Sequence, residues 1–185
     1  MRTAISNRVF SIDEYIQHEW VAERKHEFIN GQLFEMPGEK DINNELALNF
    51  VVLFKFNFLK TNYTIYAHDV KIKIPNEDKI YYPDVFLTKE AKTDKNKYVK
   101  NSPEIIVEVV SPSSQINDYV DKFLDYTKIP VLEYYIIVEP ETTLITVYFR
   151  SQNGWEASKY SNINDEVDLP KFGFKFKLPD IYSGK

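Results

Sequence analysis

The chain has no cysteine, which excludes a disulfide framework, thiolate zinc sites, iron–sulfur ligation and a cysteine nucleophile. Histidine is almost as scarce, with three in 185 residues. His18-Glu19 and His26-Glu27 each lack the second histidine of a zinc-binding helix, and together with His68 they read as ordinary surface or core residues. Five glycines leave no phosphate-cradling glycine loop, no G-x-S-x-G elbow and no dinucleotide fingerprint. No segment approaches the roughly 20 apolar residues that cross a bilayer, and the first residues hold no apolar stretch of signal-peptide length. The expectation is a cytoplasmic protein, with no membrane partner, whose chemistry uses oxygen and nitrogen groups.

What is present is ample apolar and charged material. Hydrophobic residues make up 43%, aromatics 15% and charged residues 28%, a mix that folds rather than remaining disordered. The length predicts one domain over residues 1–185. With 23 Lys and Arg against 28 Asp and Glu the formal net charge is −5, which opposes loose adhesion to nucleic acid or anionic membrane while allowing a locally basic groove. Lys89, Lys92, Lys95, Lys97 and Lys100 cluster in one stretch and read first as a solvated loop.

Ser11 and Glu14 have capping-box spacing, and Ile12, Tyr15, Ile16 and Trp20 recur at helical intervals, so a helix is expected over about 11–25. Asn30-Gly31 between two apolar triplets signals a tight hairpin. A second helix, capped by Asp41 or Asn43, should run to about Lys60. Val70, Ile72 and Ile74 alternate with lysines as in a half-exposed strand, while Ile80–Thr88, Glu104–Val110 and Leu132–Val138 read as buried strands. The segment 89–102 reads as a long loop. A helix over Asn117–Lys128 carries a core stripe of Val120, Phe123 and Leu124, which sets Asp118, Lys122 and Asp125 on the opposite, solvent-facing side. A hairpin around Asn153-Gly154 follows, then an aromatic and basic tail. The order favours an α/β fold, a mixed sheet flanked by helices.

Two carboxylates fall inside apolar strands: Asp84 in IYYPDVFL and Glu108 in EIIVEVV. An uncompensated buried carboxylate costs several kcal/mol, so something positive must sit beside Glu108. A lysine partner, or a place at a solvated strand end, would explain Glu108 without any function. For Asp84, Pro-Asp commonly marks the start of a strand. Together, on adjacent strands, the two could share one divalent ion, and all-oxygen ligation points to magnesium or manganese. For Lys122 the bland alternative is a solvent-facing ion pair along the helix.

The blocks KHEFINGQLFEMPG (25–38), YYPDVFLT (81–88), IVEVVSPSS (107–114), DYVDKFLDY (118–126) and LEYYIIVEP (132–140) resemble the Uma-two family of bacterial restriction endonucleases, within the PD-(D/E)xK phosphodiesterase superfamily. The similarity runs from about residue 10 to 160. The resemblance implies a restriction-endonuclease-like fold in which Asp84 and Glu108 are the acidic residues of the motif. Where the motif's lysine is expected the chain has Val110. The family's substitute comes from the following helix, at the position of Lys122, and Glu27 is a further acidic ligand or water-orienting group. Asn43 stands where members often carry histidine.

On that resemblance Asp84, Glu108 and the Val109 carbonyl hold Mg²⁺ or Mn²⁺, Lys122 stabilises charge on the phosphate, and the lysine loop contacts the DNA backbone. A metal-dependent DNA endonuclease is the leading expectation, with a homodimer suited to cutting both strands. The rivals are an inactive nuclease-fold module that binds nucleic acid or protein, and a hydrolase of another phosphodiester.

Overall fold

The computed structural model describes residues 4–38, 40–93, 98–110 and 116–183, the side chains of 116–119 excepted. In chain order the elements are α1 (Ile12–Glu19), β1 (His26–Ile29), β2 (Gln32–Glu35), α2 (Asp41–Phe58), β3 (Thr64–Ala67), β4 (Lys71–Lys73), β5 (Lys79–Tyr81), β6 (Val85–Thr88), β7 (Val99–Lys100), β8 (Pro103–Val109), α3 (Ile116–Tyr126), β9 (Tyr134–Glu139), β10 (Leu144–Ser151), β11 (Gly154–Tyr160), β12 (Glu166–Leu169), β13 (Phe174–Lys177) and α4 (Leu178–Tyr182). Among the described residues the strands form a six-stranded mixed sheet, β11-β10-β9-β8-β6-β3, a five-stranded sheet, β2-β1-β5-β4-β7, and the β12-β13 hairpin.

Local chemistry sets the first elements. Ser11 Oγ accepts the Glu14 N–H at 3.2 Å and the Glu14 carboxylate accepts the Ser11 N–H at 2.8 Å, closing the expected capping box on α1. That helix ends at Glu19, well before residue 25. Asn30 and Gly31 take φ of 51° and 83°, the left-handed pair that a two-residue turn demands. A Cβ on Gly31 would also lie 2.6 Å from Val9 Cγ1. Neither predicted cap on α2 forms: its N-cap is Lys40, and the Asp41 carboxylate accepts the adjacent Ile42 N–H instead.

The two faces of the large sheet are covered separately. Ile105, Val107 and Val109 of β8 join Val85, Leu87 and Ile136 under Phe50, Phe54 and Phe58 of α2. The C-terminal segment joins the same cluster through Phe174, Phe176, Ile181 and Tyr182. On the other face Ile106, Phe86 and Tyr135 meet Tyr126 of α3 together with Ile72 and Tyr81 of the smaller sheet. Tyr15 of α1 covers Phe28, Leu33 and Ile80.

Two further expectations need correction. Ile80–Thr88 is not one strand: β5 ends at Tyr81 in the smaller sheet and β6 begins at Val85 in the larger, with Tyr82-Pro83-Asp84 crossing between them. Pro83 has no N–H to continue a ladder, so the break falls where pairing has to change partners. The lysine-rich loop includes β7, which pairs in parallel with β4, and Lys100 is fully buried there with its ammonium 5.6 Å above the Tyr66 ring. Lys71 of β4 is buried as well, over the Tyr82 ring at 4.7 Å. Lys95 and Lys97 lie outside the described residues. No helix among the described residues is long and apolar enough to cross a membrane.

Candidate active site

Strand alternation decides where Glu108 goes. Its neighbours Val107 and Val109 face α2, so Glu108 shares the α3 face with Ile106. β6 pairs antiparallel to β8 with Val85 opposite Val107 and Phe86 opposite Ile106. Asp84 directly precedes β6, one residue beyond the paired stretch. At this junction the Asp84 carboxylate accepts the Val109 N–H at 2.6 Å, a charge-assisted bond that ties the end of β8 to the crossing segment. The Asp84 carbonyl in turn accepts the His68 N–H at 3.1 Å.

The positive group that Glu108 requires is Lys122. Its ammonium lies 2.8 Å from Glu27 Oε1 and 3.3 Å from Glu108 Oε1. Tyr126, one turn further along α3, donates its hydroxyl to Glu108 Oε1 at 3.0 Å. Lys122 also stands 5.7 Å from the centre of the Tyr81 ring. Glu27, Asp84, Glu108 and Lys122 are all buried, at 5%, 8%, 5% and 9% exposure. Burial pushes the Glu108 carboxyl above its usual range and the nearby Glu27 charge pushes the same way, while Lys122 and the Tyr126 hydroxyl oppose both. One ammonium therefore serves two buried acids, and a third, Asp84, is tied to the residue after Glu108.

Asp125 anchors the same helix face. It accepts from Lys79 Nζ at 2.8 Å through both oxygens, from the Tyr81 hydroxyl at 2.7 Å and from Lys128 Nζ at 3.0 Å. Despite the opposing effect of burial, these donors hold its carboxyl below the ordinary aspartate range. The inward face of α3 is thus Lys122, Asp125 and Tyr126, whereas Val120 and Leu124 of the expected core stripe are exposed and Phe123 is half-buried. The hydrophobic pattern picked the wrong side, because the polar residues of this helix bond to β1, β5 and β8 rather than to water. The side chain of Asp118 lies outside the described set.

Asp84 opens onto a cleft of about 610 Å³ whose lining includes Arg24, Lys25, Asn44, His68 and Tyr82. Asn43 sits in the first turn of α2 and does not line it. Sequence reasoning missed Tyr126 and Tyr81, whose hydroxyls complete the carboxylate network. It also missed the meeting of His18 and His26 at Glu19, with ring centroids 5.1 Å apart; the short chain between α1 and β1 brings the two together.

Residues 12–179 match the Uma2 family, described as "Putative restriction endonuclease". The chain belongs to the Uma2 family. That match reaches past residue 160, the limit of the earlier resemblance, and takes in β12, β13 and the start of α4. Two uncharacterized proteins of Synechocystis sp. are similar over nearly their whole length. One is 30% identical across 94% of this chain and 92% of its own, and the other 29% identical across 91% and 97%. The fold matches the crystal structure of "a putative nuclease belonging to DUF820" from Anabaena variabilis, with a TM-score of 0.76 over 94% of this chain and 98% of that one. At 14% identity this likeness concerns the fold, and it agrees with the mixed sheets flanked by helices that the Uma2 resemblance led one to expect.

Proposed function

We propose that this Uma2 protein is a metal-dependent DNA endonuclease that uses Asp84, Glu108, Lys122 and Glu27. The observation that carries the proposal is the convergence of Glu27 and Glu108 on Lys122, with Asp84 bonded to the N–H of Val109, the residue after Glu108, and lining a cleft. These oxygens outnumber the cation among them, and an all-oxygen set that is short of positive charge suits Mg²⁺ or Mn²⁺. Asp84, Glu108 and the Val109 carbonyl are the groups that would hold the ion. When bound, such an ion polarises a phosphate and lowers the pKa of water. Lys122 neutralises charge gathering on the phosphate oxygens, and Glu27 orients the attacking water. Arg24 and Lys25 line the cleft and hold the flanking backbone phosphates, contacts that position DNA without reading its sequence.

Supercoiled plasmid incubated with Mg²⁺ or Mn²⁺ tests this directly. The native protein should nick it, and Asp84→Asn, whose amide oxygen can still accept the Val109 N–H, should fold normally yet lose about 10²–10³ in rate. Equal nicking by both proteins, or by neither at high concentration, overturns the assignment.

One observation favours an inactive, binding-only reading: Lys122 and Tyr126 already satisfy Glu108 without any ion. Calorimetry separates the two, since a binding module has no need of Mn²⁺ and an endonuclease must take it up with a heat signal that Asp84→Asn abolishes.

We further propose a homodimer built on α2. Leu48, Val52, Phe56 and Leu59 form an exposed apolar stripe along this helix, with Phe56 85% exposed. Asp41 and Glu45 mark the start of the helix and Lys55 and Lys60 its end. Antiparallel pairing about Val52 therefore sets acidic start against basic end while burying the stripe, a self-complementary arrangement of the kind two-fold symmetry requires.

A further inference from the structure

Next to the carboxylate–lysine cluster, the end of α1 and the start of β1 assemble three donors that the proposed reaction leaves unused. His26 Nδ1 lies 2.8 Å from Glu19 Oε1 and His18 Nδ1 lies 3.6 Å from the same oxygen. All three donor atoms fall within 4.8 Å of one another. The carboxylate is held in place through its other oxygen, which accepts the Tyr82 hydroxyl at 2.6 Å and the His26 backbone N–H at 3.2 Å. Such outer bonds are what fix the orientation of a ligating carboxylate.

A His26–Glu19 hydrogen bond by itself accounts for two of the three groups. It leaves His18 Nδ1, which is buried from solvent and makes no hydrogen bond among the described residues. The two imidazoles meet edge to face at 72°, so neither ring blocks the other's nitrogen by stacking. A tetrahedral ion bound at about 2.0–2.1 Å sets its donors about 3.3 Å apart, and the two observed separations from Glu19 Oε1 bracket that value. Two imidazole nitrogens with one carboxylate oxygen select a borderline ion such as Zn²⁺ or Co²⁺ and discriminate against Mg²⁺, the opposite preference to the all-oxygen cluster. The His18 side chain is one-third exposed, which leaves a route by which an ion and a water in the fourth position can reach the site.

We propose that His18, Glu19 and His26 form a Zn²⁺-class binding site that pins α1 to β1. Because His26 directly precedes Glu27, the ion steadies the strand that presents Glu27 to Lys122. It is a positioning site, separate from the ion of the proposed reaction.

Cobalt supplies the optical probe. The full-length protein, stripped with a chelator and titrated with Co²⁺, should develop visible tetrahedral absorption that saturates at one equivalent, bleaches on adding Zn²⁺ and survives excess Mg²⁺. His18→Ala and the more conservative His18→Gln should weaken Co²⁺ affinity at least about 10-fold, with circular dichroism unchanged because this ring nitrogen bonds to nothing else. Asp84→Asn should retain the full signal. No absorption in the native protein, or an unaltered signal in both His18 variants, overturns the proposal. So does loss of the signal in Asp84→Asn, which would put the ion in the carboxylate cluster instead.

Discussion

Lys122 carries a double obligation, since Glu27 and Glu108 both rely on its ammonium. Lys122→Met should therefore destabilise the protein by about 3–5 kcal/mol, the range for stripping the partner from a buried acid, and urea unfolding measures it. Glu108→Gln should do the reverse at neutral pH, because the amide oxygen keeps the Tyr126 and Lys122 bonds while one excess negative charge disappears. The pH dependence follows from the raised Glu108 carboxyl. Between the usual glutamate value and its higher folded value the native chain binds more protons than the unfolded one, so stability falls as pH rises through that window. The advantage of Glu108→Gln in melting temperature should accordingly grow as pH rises through that window and fade toward pH 4. Thermal melts across that range check it, and an advantage that grows on acidification contradicts the sign. At this scale the sequence was partly legible. An acid inside an apolar strand announces a buried partner, and Lys122 is that partner. Tyr126 stayed hidden because a tyrosine in a helix looks like any other core aromatic until the strand opposite is known.

Among the elements, α3 separates pattern from outcome most clearly. Val120 and Leu124 face outward while Asp125 and Tyr126 pack inward. Leu124→Glu should shift stability by less than about 0.5 kcal/mol, whereas Tyr126→Ala should cost about 3–5 kcal/mol. Equilibrium unfolding of the two variants distinguishes this face from the opposite one, and a large loss on Leu124→Glu refutes it. Periodicity failed here because it weighs apolar side chains alone, and the bonds from Asp125 to Lys79 and Tyr81 depend on β5, which is distant in sequence. Capping and turn chemistry act over three or four residues, so Ser11–Glu14 and Asn30-Gly31 were readable directly. The broken strand at Pro83 was half visible: the Pro-Asp pair signals a boundary, but which sheet each half joins is a long-range matter. Lys100 was read as loop because a two-residue strand has too little pattern to register.

For the molecule as a whole, the α2 stripe predicts association. Sedimentation should find a dimer at micromolar concentration and a monomer for Phe56→Glu with an unchanged circular dichroism spectrum, while a monomeric native protein removes the two-fold proposal. The mixed α/β layout was evident from the order of elements, but the structural part played by the last 20 residues was not. Alternating lysine and phenylalanine in a tail resembles a solvated surface until a helix is found to need covering. That covering has a bearing on biosynthesis. Phe174, Phe176, Ile181 and Tyr182 shield the α2 phenylalanines, and the Tyr182 hydroxyl bonds to the carbonyls of Glu139 and Leu144. Until residues 174–182 have been made and docked that greasy helix lies bare, and a truncation near position 170 leaves it so, delivering the product to chaperones and proteases.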